Sequence, residues 1–270
     1  MTVPADDEDR VTAVLWEEGT SGIEVRGAGG DEVALLAYFP DAPGLETALA
    51  SALAPVRRAR LERAEVPDVD WVARFREGFR TFHAAGFVIA PPWEAQAPPS
   101  PADPRLIVDP GRAFGTGTHE STRLCLALLR ERAGRGPLGR VLDLGTGSGI
   151  LAVAAVRLGA SAVTAVDLDP EAVRSARHHA RLNGVALHVV RADLASGLRP
   201  GAFDLVLANI AAPLLVERRR EILDLDSPAI VLSGLLAGDA EAVCAAYATA
   251  GRIEARRDGE WRALLVERLP

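Results

Sequence analysis

Apolar runs of strand length alternate with apolar positions at helical spacing along most of the chain, most clearly between residues 140 and 168. V-L-D-L at 141–144 has the length and composition of a buried parallel strand. G-T-G-S-G follows at 145–149, then an apolar helical stretch at 150–158 with Gly159 as a C-cap glycine. A β-branched run at 163–166 delivers Asp167 to the end of a second strand. The pattern predicts one βαβ unit whose first turn is a ligand site.

The alternation continues downstream. A helix over 171–183 stops at Asn183-Gly184, a strand over 187–191 precedes Asp193, and a strand over 203–208 runs into N-I-A-A-P. A strand at 230–232 leads to a helix over 239–250, and segments 252–257 and 261–268 flank a D-G turn, a hairpin signal. Upstream, residues 1–66 read as a small α+β module in the order α-β-β-α-β. Its helices fall at 9–18 and 45–53, and its strands at 22–26, 33–39 and 59–66. That order resembles a ferredoxin-like module without its first strand. Trp71, Phe75, Phe79 and Phe82 form one apolar stripe on a linker helix over 70–82 and are expected in the core. The proline-rich stretch 91–104 cannot be a regular element and reads as a loop between strands 86–90 and 105–108. The expected fold is α/β: a doubly wound sheet closed by a C-terminal antiparallel hairpin, over 85–270. A linker helix lies within 67–84, and a small N-terminal domain occupies 1–66.

The glycine spacing narrows the ligand. A dinucleotide turn is G-x-G-x-x-G, with a pyrophosphate on the helix N-terminus. Here the spacing is G-x-G-x-G, and Asp143 stands two positions before Gly145. A carboxylate there would repel a pyrophosphate and suits an ammonium and a sulfonium, which points to S-adenosylmethionine. Gly145 and Gly147 would allow close approach of the methionine part, and Asp167 can hold two ribose hydroxyls. Asp193 can accept from an adenine amino group or stand solvated in its loop. Asn209, just beyond a strand and before a proline turn, can hold the nitrogen that receives a methyl group, or simply form a turn. A sheet closed by a hairpin with one antiparallel strand inserted is the layout of class I methyltransferases.

Between these lies D-P-G-R-A-F-G-T-G-T-H-E-S-T at 109–122. It packs Phe114, Thr116 and His119 between glycines ahead of a helix, with Ser121 or Thr118 as candidate N-caps. It can be a lid over the donor or a plain helix entry.

Composition removes some function classes. The net charge of −7 argues against a nucleic-acid backbone as substrate and suits a basic protein partner. All 30 basic residues are arginine. The N-terminus lacks signal-peptide features and no long apolar run suggests a membrane span. Cys125 and Cys244 match no metal or redox spacing, so no metal is expected, and reduced thiols fit a cytoplasmic protein, expected as a monomer.

F-G-T-G-T-H, D-L-G-T-G-S-G, D-L-D-P-E-A-V, A-N-I-A-A-P-L and L-S-G-L-L together resemble the ribosomal protein L-eleven methyltransferase family. The resemblance covers the chain from about Asp70 to the end. It implies methyl transfer from S-adenosylmethionine to lysine side-chain and N-terminal amines of that ribosomal protein, docked through the N-terminal domain. It places Thr122, Gly145, Asp167 and Asn209 on donor-binding positions and leaves Asn209 and His119 as candidate catalytic residues. A lysine methyltransferase of the electron-transfer flavoprotein β-subunit, which shares the glycine turn and the post-strand Asn, is the alternative, beside a small-molecule methyltransferase.

Overall fold

The apolar runs of the second half become the centre of a seven-stranded sheet in a computed structural model of the protein. The structure describes every residue except 28–31, 41, 57–58, 65–70, 96–104, 112 and 269–270. The chain divides into two compact units, Met1–Val69 and Asp70–Pro270.

In the first unit, β1 (Thr2–Pro4), α1 (Glu8–Glu17), β2 (Gly22–Gly27), β3 (Glu32–Tyr38) and α2 (Leu45–Ala52) follow in order. The sheet order is β1-β3-β2, antiparallel throughout. The first strand expected to be missing is therefore present. It is three residues long, too short to show a period, and is held because Val3 is fully buried against Val11, Leu15, Leu35 and Leu49. The strand expected over 59–66 reduces to one bridge, Thr2 with Arg60, and its residues 65–66 lie outside the described ones.

The second unit opens with α3 (Trp71–Gly78), then β4 (Phe82–Ala84), β5 (Phe87–Ala90) and β6 (Arg105–Ile107), a small sheet of their own. The expected aromatic stripe is split: α3 ends at Gly78, Phe79 is buried, Phe82 belongs to β4, and Phe75 is 45% exposed. The main sheet is built from β7 (Arg140–Leu144), β8 (Ala162–Asp167), β9 (His188–Arg191), β10 (Leu205–Asn209), β11 (Ala229–Leu236), β12 (Arg252–Asp258) and β13 (Trp261–Glu267). Its order is β12-β13-β11-β10-β7-β8-β9. The strands β11, β10, β7, β8 and β9 pair in parallel, and β13 enters antiparallel between β11 and β12.

Helices α4 (Glu120–Arg135), α5 (Ile150–Arg157), α6 (Pro170–Leu182), α7 (Ala212–Glu217), α8 (Arg219–Leu223) and α9 (Ala240–Tyr247) connect and cover these strands. The central strands are apolar on both faces because both are covered. Val141 joins the core shared with α4 and α5, while Leu142 and Leu144 join the one shared with α7 and α9. Where β7 and β10 end side by side, the chain leaves the sheet in opposite senses, which opens a crevice at their carboxyl ends.

Candidate active site

The crevice is a cavity of about 370 Å³, within the range of small-molecule sites. Gly145, Gly147 and Asp167 line it from the ends of β7 and β8, Asp193 from beyond β9, and Asn209 from the end of β10. Phe114 and Thr122 line it from the approach to α4 and its first turn. Those seven expected residues are brought together. Thr116, His119 and Asp143 are not on its wall.

The turn after β7 is fastened on two sides. The Gly147 amide donates to Asp167 Oδ2 at 2.9 Å, and the Asp169 amide donates to Oδ1 at 3.0 Å. On the other side, the Ser148 amide donates to the Phe114 carbonyl at 2.8 Å and the Ser148 hydroxyl to the Gly115 carbonyl at 2.6 Å. Gly147 has φ of +55°, and a Cβ there would lie 2.6 Å from the Phe114 carbonyl oxygen. Its glycine is thus required by the neighbouring loop as well as by any ligand. Asp169 caps α6 by accepting from the Glu171 amide at 2.8 Å, with Pro170 in the first turn.

Asp143 is not among the residues lining the cavity and lies on the same face of β7 as Val141. It is 1% exposed and accepts from the Thr146 hydroxyl at 2.6 Å. Burial pushes its carboxyl up to about 7, against the opposing effect of that hydrogen bond. Asp143 is joined to the cavity through Thr146, which lines it.

Asn209 ends β10. Its Nδ2 lies 3.4 Å from the Thr122 hydroxyl, to which it donates, while its Oδ1 is buried without a hydrogen-bond partner. Ile210, the next residue, is packed between strand ends: a Cβ on Gly145 would lie 2.5 Å from its side chain, and one on Gly234 2.5 Å from its carbonyl. Ile210 also lines the cavity and was not singled out from sequence, nor were Leu168, Leu194 and Leu214 on the same wall. For Ile210 and Leu168 the sequence signal is an apolar residue directly after a strand end, whereas Leu194 lies three residues past β9 and Leu214 within α7.

His119, not Ser121 or Thr118, is the N-cap of α4. Its Nδ1 accepts from the Ser121 amide at 3.2 Å and shares a 2.8 Å hydrogen bond with the Ser121 hydroxyl. The ring stands edge-on between Phe114, 5.4 Å away, and Trp261, 4.4 Å away. Thr116 shares a hydrogen bond with Thr118 at 2.9 Å. Asp193 is held by Arg218 at 3.1 Å, which also binds Glu221.

Two buried polar residues, His179 and Asn183, the second expected only as a helix stop, hold the segment entering this loop. His179 Nε2 accepts from the Asp109 amide at 2.9 Å, and its Nδ1 sits 2.9 Å from the Ser175 carbonyl. Burial lowers the His179 pKa, which keeps the ring neutral and the Nε2 lone pair available. Asn183 accepts from the Ile107 amide and donates to the Ile107 carbonyl, both at 2.8 Å.

The family model described as ribosomal protein L11 methyltransferase (PrmA) matches residues 3–268. A ribosomal protein L11 methyltransferase of Pelobacter propionicus is 44% identical over 211 residues, 75% of this chain and 68% of that protein. One from Myxococcus xanthus is 33% identical over 276 residues, 97% of this chain and 94% of that protein. The crystal structure of a ribosomal protein L11 methylase from Lactobacillus delbrueckii subsp. bulgaricus is 33% identical, with a TM-score of 0.60, covering 71% of this chain and 100% of that one. With a mixed sheet of class I methyltransferase order and a matched profile over nearly its whole length, the chain belongs to the ribosomal protein L11 methyltransferase (PrmA) family.

Proposed function

We propose that this chain transfers methyl groups from S-adenosylmethionine to lysine side-chain and N-terminal amines of ribosomal protein L11. Residues 1–66 act as the docking domain, α3 within 67–84 as the linker helix and 85–270 as the catalytic domain. The observation that carries this reading is that Asn209, whose Oδ1 is buried and unpaired, lines the same cavity as Asp167 and the glycine turn.

The residues present fit the donor. Asp167, oriented by two backbone amides, still offers acceptor lone pairs to a pair of ribose hydroxyls. Leu168, Leu194 and Leu214 give apolar walls suited to a flat base, and Asp193 adds acceptor oxygens at that end. When bound, the donor supplies a methyl group already activated by its sulfonium. The chain's own part is positioning and exclusion of water.

Asn209 Oδ1 accepts a hydrogen bond from the acceptor amine and so turns the nitrogen lone pair toward the methyl. An amide oxygen does not take up a proton at neutral pH, so the amine must attack in its neutral form. A lysine amine has a pKa near ~10.4 in water, and transfer into a buried site lowers it. As the nitrogen–carbon bond forms, the electrons of the broken sulfur–carbon bond stay on sulfur and the amine's surplus proton passes to water. Thr122 fixes the orientation of the Asn209 amide, and His119 holds the first turn of α4 that carries Thr122.

The docking role is supported by charge. The first 69 residues hold 14 acidic residues against 6 arginines, whereas the remainder is nearly balanced. An acidic module attracts a basic partner. Its strand order β1-β3-β2, with Arg60 bridging the outer side of β1, fits a ferredoxin-like arrangement. Among the described residues, no helix is long and apolar enough to cross a membrane.

The test is mass spectrometry of purified ribosomal protein L11 after incubation with the protein and S-adenosylmethionine. Methyl additions on lysines and the N-terminus are expected. Donor binding by calorimetry with no addition to L11 would keep the donor site and remove the substrate.

A further inference from the structure

Three rings stand in a row beside the cavity. Phe114 lines it and is 55% exposed, His119 is 5.4 Å from Phe114, and Trp261 is 4.4 Å beyond His119. Trp261 is half-buried at the start of β13 and pairs across the sheet with Leu236, itself 43% exposed. Directly paired residues project from the same face, so Leu236 extends the apolar surface. His119 is the N-cap of α4, and the Thr122 amide donates to its carbonyl at 3.1 Å. Thr122 in turn meets Asn209. The row therefore leads from the surface to within about one helical turn of the amide that would hold the acceptor nitrogen.

We infer that this aromatic row is the binding site for the alkyl chain of an acceptor lysine, and that Trp261 at its outer end favours lysine over an N-terminal amine. The inference rests on the role proposed above for Asn209. To bring its nitrogen to Asn209 a lysine must take four methylenes out of water, and an apolar wall along that path stabilises the bound chain. Losing contact with about two methylenes corresponds to roughly tenfold weaker acceptor binding. An N-terminal amine hangs directly on the main chain and has no such segment to bury. Trp261 does not line the donor cavity, so donor binding should not depend on it.

The test compares Trp261→Ala and Trp261→Phe in the full chain, with ribosomal protein L11 as acceptor. Trp261→Ala should raise KM for the acceptor about tenfold. It should leave kcat and donor affinity within about twofold and lower the ratio of lysine to N-terminal methylation. Trp261→Phe should restore both. Equal loss on the two kinds of amine, or loss of donor affinity alongside, would overturn the assignment and leave Trp261 as packing for the hairpin. A second measurement does not depend on the acceptor protein. A chain retaining Trp261 alone, with Trp16, Trp71 and Trp93 changed to Phe, is titrated with n-butylammonium in the presence of S-adenosylhomocysteine. Indole emission should change saturably with n-butylammonium and stay flat with ammonium chloride. A flat response, or the same response to both, sinks the inference whatever protein is methylated. A saturable response in a chain that leaves L11 unmodified would keep the lysine row and discard L11.

Discussion

Where β7 and β8 end, the polar groups beside the cavity are held by their neighbours. Both oxygens of Asp167 accept from backbone amides, and the hydroxyls of Thr146 and Ser148 each donate to a named partner. The buried oxygen left over on that side, Oδ1 of Asp143, belongs to a carboxyl that burial pushes up to about 7, so it can be relieved by a proton. At the end of β10 the position is different. Asn209 Oδ1 is also buried and unpaired, but an amide cannot be relieved by protonation, and an unmet buried acceptor costs about 1–3 kcal/mol. The donor side is a finished scaffold, whereas the acceptor side is one hydrogen bond short. In the function proposed above, that missing bond is what a substrate amine supplies.

The largest effect should come from the unfinished side. Asn209→Ala removes an interaction made with the reacting nitrogen and is expected to lower kcat by about 100-fold or more. Donor affinity measured by calorimetry should change by no more than about threefold, because the glycine turn and Asp167 are untouched. Equal loss of turnover and donor binding would erase the distinction between the two sides.

Next in size is a test of the scaffold itself. The Asp143 carboxyl titrates at about 7 in the folded chain, against an ordinary value of 3.8. The folded state therefore holds a proton that the unfolded state releases. The stability this group contributes is fully present below about pH 4 and is lost as pH rises through about 7. Asp143→Asn cannot ionise, so it should be more stable than the parent at pH 8 by an amount on the order of a few kcal/mol relative to the difference at pH 4. Urea unfolding of both proteins at the two pH values reads this directly. Parallel pH dependence would mean that the carboxyl is not desolvated as the buried geometry requires.

These two residues also mark how far the sequence could be read. The βαβ unit was legible because V-L-D-L, the glycines and the β-branched run signal through local propensity. Asp167 and Asn209 were legible because chain position alone puts them at strand ends. Asp143 is different: strand alternation decides which face it occupies, and its partner Thr146 is fixed only once the turn closes. Pairings across long separations were also hidden. Thr2–Pro4 forms a strand only because Glu32–Ala34 lies opposite, and His179 and Asn183 look like ordinary helix residues until Ile107 and Asp109, about 70 positions away, present their backbone. Phe79 and Phe82 carry the helical spacing past Gly78, where α3 stops, so the stripe predicted one buried face where the structure divides it between a helix and a strand.

The smallest effect, and the one that places the border between the two sides, concerns His119. As the N-cap of α4 it belongs to the scaffold, yet it stands one turn from Thr122 and 4.4 Å from Trp261. If it acts through the cap, His119→Asn should be nearly neutral, because an Asn side chain also accepts from the backbone amide at this position. His119→Ala should then lose about 1 kcal/mol of stability and slow turnover only a few-fold, as the first turn of α4 loosens its hold on Thr122. If the ring took the acceptor's proton, both variants would lose turnover alike and the acid limb of the kcat–pH profile would change with them. Thermal melts and pH profiles of the two variants separate these cases. A neutral Asn beside an impaired Ala assigns the histidine to the finished side, and leaves the proposed contact with the acceptor amine to Asn209 alone.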